Sequence, residues 1–447
     1  MSDSLAHAFT DLRIDASKWR FVDLRIDIPA GSFGSDAINP HTQYSNPLAL
    51  MEYGREMAIG ASFTLGAGNE MLCKAADYII CLLDGCSVGE LIFSKHGFYE
   101  TLTNPLQLRW LSPYAGLPLM AGGLIVNTLL DAASKIVGLP AWEYLARLPS
   151  ELLMSLINLR HLDDRFDQAN VSDILERGLF GIDARCSQLK TEGLPVYYTT
   201  WIGHDAETIA KQIQAQYRER GIKTFKLKVG RNIQSDSSKL LRIREMIPPD
   251  VDLCVDANQT LTLDEAKCWL RLLSDQGVKW LEEPFAPDNT RLFEAIMDFK
   301  RENKLRCEVV TGENCPNHFT ASALMDSGID RFQADPCRML GLIDDVLVCI
   351  LASMSDCVIT PHAGGSSLDE LSPHVQLFNL ARIRTDVSPA DTLTENVGFC
   401  SRYFALPTIV ENGRAKTQLK PGLLAGVAES VLGQIRDYKE GTSWLKL

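Results

Sequence analysis

The chain has 447 residues, of which 46% are hydrophobic and 23% charged, a composition typical of a globular protein with two or three domain-sized units, or one barrel with an extra domain. The formal net charge is −13 and no recognisable helix carries a cluster of Lys and Arg. Because nucleic-acid binding requires neutralised phosphates, this balance argues against a nucleic-acid partner, and an anionic substrate would need a local positive site.

The twelve cysteines are scattered and include no CxxC pair, so they match no zinc pattern. Several lie in apolar runs, where a free thiol behaves as a small buried hydrophobe: Cys81, Cys254 and Cys349. We expect reduced thiols and a cytoplasmic protein.

Residues 1–10 contain no apolar signal core. A membrane span requires about 20 uninterrupted apolar residues. The best candidate, residues 116–130, is shorter and contains Pro118 and Asn127. We therefore expect no membrane partner.

The first 150 residues combine strand and helix patterns. The sequence DLRID occurs at residues 11–15 and again at 23–27, and its alternation predicts two strands. Residues 71–148 have mostly helical periodicity, interrupted near Pro140. This part is expected to form a separate α+β domain.

From about Pro195 onward, short apolar runs alternate with amphipathic helices. One such helix follows Thr262, which forms a capping-box pattern with Glu265. Strand–helix alternation predicts a parallel sheet covered by helices, and seven or eight units in series favour a closed barrel. No GxGxxG motif opens a helix, which disfavours a dinucleotide-binding sheet. The predicted strands are 196–200, 224–229, 252–256, 280–282, 308–311, 331–333 and 357–360.

The strand Phe225–Val229 has two lysines on one face. Phe225, Leu227 and Val229 would face the helix layer, so Lys226 and Lys228 would point into the barrel. The alternative is an edge strand with solvated lysines, but the apolar opposite face disfavours it. Two buried ammonium groups require compensating charge.

Three later strands end in carboxylates, at the end of a barrel where active sites are built. Any one of these acids could cap a helix. However, Asp256 lies 28 residues after Lys228, Glu282 lies 26 residues after Asp256, and Glu313 lies 31 residues after Glu282, so each interval fits one β/α unit. The acids should therefore converge, and they would repel one another without a cation. Oxygen ligands favour Mg²⁺ over zinc.

The series continues with Asp335, 22 residues after Glu313, and His362, 27 residues further on. A lone histidine is more often structural. An Asp on the preceding strand could orient His362 and raise its pKa.

The motifs of this chain resemble those of the mandelate-racemase branch of the enolase superfamily, and more narrowly those of its sugar-acid dehydratases that act on L-fuconate or L-galactonate. In chain order they are KxK, DxN, EEP, GEN, DxxR and PHxGG. The similarity extends over nearly the whole chain. Further segments support it: 34–39, 63–69, 107–111, 198–200 and 201–203.

The resemblance implies an α/β fold, with an N-terminal α+β capping domain (1–150), a (β/α)₇β TIM-like barrel (151–400) and a C-terminal segment (401–447) that returns to the cap. It also implies a base, Lys228, whose pKa is lowered by the neighbouring Lys226, and an opposite acid/base, His362 paired with Asp335. Mg²⁺ would be held by Asp256, Glu282 and Glu313. The substrate would be contacted by Asp36 and Tyr44 of a lid loop, Lys226, Asn258, Trp201, and Glu395, which would face its carboxylate.

The implied reaction is dehydration of a small acid sugar to a 2-keto-3-deoxy acid, in what we expect to be a homo-oligomer. A racemase or epimerase, or a catalytically inactive regulatory barrel, are the alternatives. The chain departs from the dehydratases at Val397–Cys400, where they have an Asp-His pair, and at Ala67, where they have Arg. The residues that select the substrate therefore differ, and the sequence does not identify the acid sugar.

Overall fold

The fold is seen in a computed structural model, which shows a mixed α+β part followed by a barrel. It describes residues 2–28, 34–35, 40–41, 43–64, 68–112, 114–200, 204–230, 232–365, 367–398, 401–417, 419–424, 426–430 and 435–437.

The N-terminal part is built on an antiparallel sheet in which β1 pairs with β4 and β4 pairs with β5. Its elements are α1 (Ser2–Thr10), β1 (Trp19–Asp27), β2 (Gly34–Ser35), β3 (Pro40–His41), β4 (Gln43–Tyr53), β5 (Glu56–Ala61), α2 (Asn69–Leu82), α3 (Val88–Ile92), α4 (Gly97–Thr103), α5 (Leu117–Ile136), α6 (Ala141–Arg147) and α7 (Ser150–Leu156).

The first DLRID segment is not a strand, contrary to the sequence prediction. Residues 23–27 lie in β1, whereas residues 11–15 form a turn after α1. The backbone of that turn is held by hydrogen bonds to the loop before α3, including Ile14 N–H to the Cys86 carbonyl (2.9 Å) and Gly85 N–H to the Ile14 carbonyl (2.8 Å). Tertiary contacts therefore override the local alternation.

Helix α5 is longer than the sequence suggested. It runs for 20 residues and has the length and hydropathy of a membrane span, but 89% of the apolar window is buried inside the protein. It packs so closely on the barrel that a Cβ on Gly123 would lie 2.7 Å from the Gly341 nitrogen. Helix α5 is therefore a core helix, packed between the N-terminal part and the barrel.

The second part is a barrel of parallel strands. Its elements are α8 (Gln168–Leu179), α9 (Ile182–Glu192), β6 (Leu194–Thr199), α10 (Ala206–Arg220), β7 (Thr224–Lys228), α11 (Ile233–Met246), β8 (Asp252–Asp256), α12 (Leu263–Asp275), β9 (Trp280–Glu282), α13 (Thr290–Glu302), β10 (Glu308–Thr311), α14 (His318–Asp326), β11 (Arg331–Phe332), α15 (Leu342–Met354), β12 (Val358–Ile359), α16 (Leu368–Phe378) and β13 (Thr394–Asn396).

Each strand from β6 to β12 pairs in parallel with the next, and β13 pairs in parallel with β6. A hydrogen bond from the Glu395 N–H to the Pro361 carbonyl (3.1 Å) joins β13 to the end of β12 and closes the ring. The predicted (β/α)₇β barrel is confirmed, as are the positions of its first seven strands. The Thr262–Glu265 capping box is present at the start of α12.

The segment after the barrel returns to the N-terminal part. It contains β14 (Val410–Glu411), β15 (Arg414–Ala415), which pairs with β6, and β16 (Ile435–Asp437), which pairs antiparallel with β1. The backbone N–H of Leu423 donates to Asp131 of α5 (2.6 Å). The division into three units at residues 150 and 400 stays a prediction.

The cysteines only partly follow the expectation from their apolar surroundings. All eleven in the part of the chain that the structure describes are free, and Cys254 and Cys349 are buried. Cys81 is exposed, because it lies on the outer face of the amphipathic helix α2.

Candidate active site

The polar residues that the sequence places at the strand ends converge at one end of the barrel. Asp256 and Glu282 are the last residues of β8 and β9, and Glu313 follows β10 by two residues. Parallel strands end at the same rim of a barrel, so these side chains meet there. The predicted convergence is confirmed: ligand atoms of the three carboxylates all lie within 4.8 Å of one another. We call Asp256, Glu282 and Glu313 the carboxylate triad.

The carboxylate triad concentrates negative charge in a desolvated place. Asp256 and Glu282 are fully buried. Burial raises the pKa of Glu282 well above its usual range, and the charges of Asp256 and Glu313 raise it further, although Lys226 acts in the opposite direction. A divalent cation would relieve this repulsion.

The donors of the carboxylate triad fit Mg²⁺. All are carboxylate oxygens, the ligands that Mg²⁺ prefers over the nitrogen and sulfur donors of zinc sites. Beside them, the side-chain oxygen of Asn258 is buried without a hydrogen-bond partner. The backbone N–H of Asn258 donates to Asp256 Oδ1 (2.8 Å), which holds this predicted substrate-binding residue against the triad.

Lys226 lies among the acids, as the strand alternation predicted. Its side chain is 1% exposed, and Nζ is 2.6 Å from Glu282 Oε1, 2.9 Å from Glu395 Oε1 and 3.7 Å from Asp256 Oδ2. Burial lowers the pKa of Lys226, but the neighbouring carboxylates outweigh burial and hold the pKa well above its usual value. Lys226 is therefore a fixed positive charge at the base of the site.

Lys228 differs from the sequence expectation in its acidity. Its Nζ is 2.5 Å from Asp256 Oδ2. Burial lowers the pKa of Lys228 and Lys226 lowers it too, as predicted, but the adjacent Asp256 charge outweighs both, so the pKa is raised. In this structure Lys228 is therefore the protonated partner of Asp256.

His362 follows β12 at the other end of the carboxylate triad. Nδ1 is 2.8 Å from Asp335 Oδ2, and Nε2 is 3.1 Å from Glu313 Oε2. Burial lowers the pKa of His362, but the Glu313 charge and the Asp335 hydrogen bond overcome it and raise the pKa to about 9. The predicted pairing with Asp335 is confirmed, and the imidazole is protonated at neutral pH.

Glu395, in β13, lies between Lys226 and His362. Its Oε2 accepts a hydrogen bond from the Ala363 N–H (2.8 Å) and lies 3.9 Å from His362 Nε2, while Oε1 accepts from the Thr199 hydroxyl and pairs with Lys226. Burial raises the pKa of Glu395, but Lys226 and His362 outweigh it, so this pKa is low. Glu395 is ionised in the site.

The remaining predicted substrate residues have mixed outcomes. Tyr44 lies in β4 and is buried, not in a loop as expected, because β4 pairs along its length with β1. Its ring packs edge-on against Phe63 at 5.4 Å, and Phe63 occupies the space where a Cβ on Gly365 would lie. Through Phe63, Tyr44 thus packs behind the loop that carries His362. Asp36 and Trp201 lie outside the described residues.

The sequence reasoning missed two sets of supporting residues. Glu283, buried with a φ of 41°, accepts hydrogen bonds from Gln259 Nε2 (3.1 Å) and Asn314 Nδ2 (3.0 Å), and Arg338 donates to the Asn314 side-chain oxygen (3.0 Å). These four residues tie together the loops after β8, β9, β10 and β11. The second glutamate of the EEP motif was the sequence feature that could have revealed this network.

Aromatic residues inside the barrel form the second missed set. The Tyr197 and Trp280 rings meet edge-on at 5.1 Å, and Lys226 Nζ lies 5.5 Å from the Tyr197 ring centroid. Trp280 is two residues before Glu282 on β9, so strand alternation places both side chains on the same face. That spacing could have revealed the contact.

Comparisons with known proteins agree with this fold. The family model described as "Enolase C-terminal domain-like" matches residues 208–431. A closed β/α barrel with polar residues gathered at the carboxyl ends of its strands is the architecture in which barrel enzymes build their active sites. The chain belongs to the enolase superfamily, in its mandelate racemase/muconate lactonizing branch.

Several relatives match nearly the whole chain. Mitochondrial enolase superfamily member 1 from Homo sapiens is 30% identical over 431 residues, covering 95% of this chain and 96% of the relative. Its crystal structure has a TM-score of 0.88 at 28% identity, covering 97% and 98% of the two chains. L-galactonate dehydratase from Hypocrea jecorina is 28% identical over 435 residues, covering 95% of each.

A more distant structure shares the fold. L-talarate dehydratase from Polaromonas sp. JS666, complexed with Mg and L-glucarate, has a TM-score of 0.69 at 20% identity, covering 94% of this chain and 97% of that one.

Proposed function

We propose that this protein is a Mg²⁺-dependent dehydratase of a sugar acid of the L-fuconate or L-galactonate type. One observation carries the proposal: two proton carriers contact opposite members of the carboxylate triad, Lys228 at Asp256 (2.5 Å) and His362 at Glu313 (3.1 Å). A substrate held by its carboxylate between them has one group to remove a proton and another, already protonated, to donate one.

The first half of the reaction removes the proton next to the substrate carboxylate. That proton is weakly acidic because its loss creates an enediolate with two negative charges. Bound Mg²⁺, held by the carboxylate triad, would supply positive charge that offsets Asp256 and stabilises the developing charge. With the Asp256 charge offset, burial and Lys226 would lower the pKa of Lys228 and favour its neutral form, which would take the proton. Lys226 adds a fixed positive charge.

The second half expels the β-hydroxyl. Protonated His362 donates its Nε2 proton to the departing hydroxyl, which leaves as water. Asp335 holds the imidazole by its other nitrogen throughout (2.8 Å). The resulting enol tautomerises to the 2-keto-3-deoxy acid. Across these two halves the substrate loses one water: its α-proton goes to Lys228, and its hydroxyl leaves with the proton from His362.

The relatives support the substrate class. The Hypocrea jecorina relative is named an L-galactonate dehydratase, and the Polaromonas structure is named an L-talarate dehydratase. By the family resemblance, the differences at Ala67 and Val397–Cys400 fall among substrate-selecting positions, whereas both lysines, His362 and the carboxylate triad match the family's motifs. We therefore propose the chemistry of these relatives with an acid sugar chosen by this chain's own residues.

A second candidate is a racemase or epimerase. The same placement of Lys228 and His362 favours it, because two proton carriers on different sides of one carbon could exchange protons on both of its faces. The two candidates differ in product: a keto acid for the dehydratase and an inverted hydroxy acid for the epimerase.

The test is a screen of the purified protein with Mg²⁺ against a library of acid sugars, with detection of 2-keto-3-deoxy acids. We expect product from at least one six-carbon sugar acid, lost on chelation with EDTA and in His362→Asn. As a matched control, His96→Asn changes an exposed histidine on another part of the protein and should keep the activity. Deuterium exchange without a keto product would instead support the epimerase.

A further inference from the structure

Glu282 of the carboxylate triad has a hydrogen-bond donor on each of its two oxygens. Oε1 is 2.6 Å from Lys226 Nζ, and Oε2 accepts a hydrogen bond from the indole nitrogen of Trp280 at 3.2 Å. Donors on both oxygens fix the plane of a carboxylate. Of the two, the lysine is charged and long, whereas the indole is neutral and rigid.

Trp280 is itself held firmly. Its side chain is fully buried inside the barrel, in a small apolar cluster below the carboxylates. Its ring is packed edge-on against Tyr197 at 5.1 Å, and the Arg331 guanidinium lies 5.9 Å from its centroid. The cluster consists of Tyr197, Cys254, Trp280, Val310 and Leu393.

The two faces of β9 have different roles. Leu281 points away from the site and belongs to the main apolar core of the protein, whereas Trp280 and Glu282 point into the barrel. A tryptophan that only fills space in the core does not need its N–H directed at a carboxylate. A buried indole N–H with an ionisable acceptor is a specific arrangement.

We propose that Trp280 is a positioning residue for the metal-binding carboxylate: its indole N–H orients Glu282 for the cation, and the ring reports on binding at the carboxylate triad. The inference rests on the Mg²⁺ site of the proposed function. Groups that hydrogen-bond to metal ligands fix their orientation, and their loss typically weakens metal binding by about 10- to 100-fold.

The test compares Trp280→Phe with Trp269→Phe. Both replace a buried tryptophan by the same smaller ring, but Trp269 lies on α12 in the helix layer outside the barrel. Mg²⁺ affinity is measured by isothermal titration calorimetry, and the melting temperature and circular dichroism of each variant are recorded. We expect Trp280→Phe to bind Mg²⁺ at least about 10-fold more weakly than the wild type, and Trp269→Phe to bind it with wild-type affinity. A purely structural role would lower both melting temperatures and leave both affinities unchanged.

Tryptophan emission gives a second readout. We expect Mg²⁺ to change the emission of the wild type and of Trp269→Phe, and the change to be absent in Trp280→Phe. If Trp280→Phe does not fold, wild-type protein with ¹⁵N-labelled tryptophan serves instead. One slowly exchanging indole N–H resonance should then shift on Mg²⁺ addition, and the resonance assigned to Trp269 should not.

The outcomes distinguish the role inferred for Trp280 from the proposed Mg²⁺-dependent function on which it rests. Wild-type affinity and an unchanged emission response in folded Trp280→Phe would overturn the role of Trp280 alone. In the labelled protein, no shifted buried indole resonance at saturating Mg²⁺ would do the same. A wild-type protein that binds no Mg²⁺ would overturn both the Mg²⁺-dependent function and this inference.

Discussion

The Nδ1 atom of His362 lies 2.8 Å from Oδ2 of Asp335, the acid that follows the preceding barrel strand. This contact fixes the orientation of the imidazole and leaves Nε2 directed toward the carboxylate triad, 3.1 Å from Glu313. Because the charges around it raise the pKa of His362 to about 9, the ring is protonated at neutral pH, as the proposed general acid must be.

We predict that His362→Asn separates the two halves of the reaction. Removing a general acid typically costs about 10²- to 10⁴-fold in rate, so keto-acid formation should fall by that factor. Exchange of the substrate α-proton with deuterated solvent should persist, because Lys228 is intact. Asp335→Asn should act in the same direction. Keto-acid formation at the wild-type rate in His362→Asn would contradict the assignment.

Removal of the proposed base should stop both halves. We predict that Lys228→Ala loses α-proton exchange and keto-acid formation together, by about 10²-fold or more. Proton NMR in deuterated water measures the exchange. Lys223→Ala is the matched control, because Lys223 precedes the same strand but is exposed and pairs with Asp250 at the surface. If exchange continued in Lys228→Ala, another residue would be the base.

Mg²⁺ should stabilise the fold through the carboxylate triad. A ligand that binds only the folded state at 100 times its dissociation constant adds about 2.7 kcal/mol to the free energy of unfolding. We predict a melting temperature that rises with Mg²⁺ in the wild type and not in Glu282→Gln. Glu294→Gln, which alters an exposed residue of α13, should respond as the wild type does. An equal response in Glu282→Gln would place the cation elsewhere.

A buried histidine far from the site should make stability pH-dependent. His374 accepts a hydrogen bond from the Trp142 N–H (3.1 Å), its Nε2 lies 3.1 Å from the Leu423 carbonyl, and burial lowers its pKa to about 4. In the unfolded chain the histidine pKa is about 6.5. The unfolded state therefore binds the proton first, and stability should fall as the pH drops from about 6.5 to 4, by at most about 3 kcal/mol.

The measurement is urea unfolding across that pH range for the wild type and His374→Asn. The variant should lose this part of the slope. Buried acids such as Glu370, whose pKa burial raises to about 8, contribute slopes of the opposite sign that are common to both proteins. His7→Asn, at a 70% exposed side chain, is the control. Equal slopes in the wild type and His374→Asn would show that His374 has the same pKa in the folded and unfolded states, and would contradict the prediction.

The barrel and the carboxylate triad could be predicted because both depend on local repetition. Each strand is followed by its own helix, so an interval of one β/α unit places Asp256, Glu282 and Glu313 at the same rim without any knowledge of distant contacts. The alternation within β7 likewise placed Lys226 inside the barrel.

Features that depend on contacts between residues far apart in the sequence were not predictable in the same way. The sign of the pKa shift of Lys228 depends on whether the Asp256 charge outweighs burial and Lys226, and only the contact between Nζ and Oδ2 decides that. Tyr44 was expected in a loop because its strand is recognised only through pairing with β1. Asp36 and Trp201, the homo-oligomer, the cytoplasmic location and the absence of a nucleic-acid partner stay predictions.

The pairing of β16 with β1 has a consequence for the order in which the protein assembles. Val22–Leu24 are synthesised early, yet their partners, residues 435–437, leave the ribosome after the whole barrel. Chains fold from the N-terminus during synthesis, and an unpaired strand edge is a site for mistaken association. The sheet of β1, β4 and β5 therefore gains β16 only after the barrel has been made, and until then the edge of β1 that pairs with β16 is open.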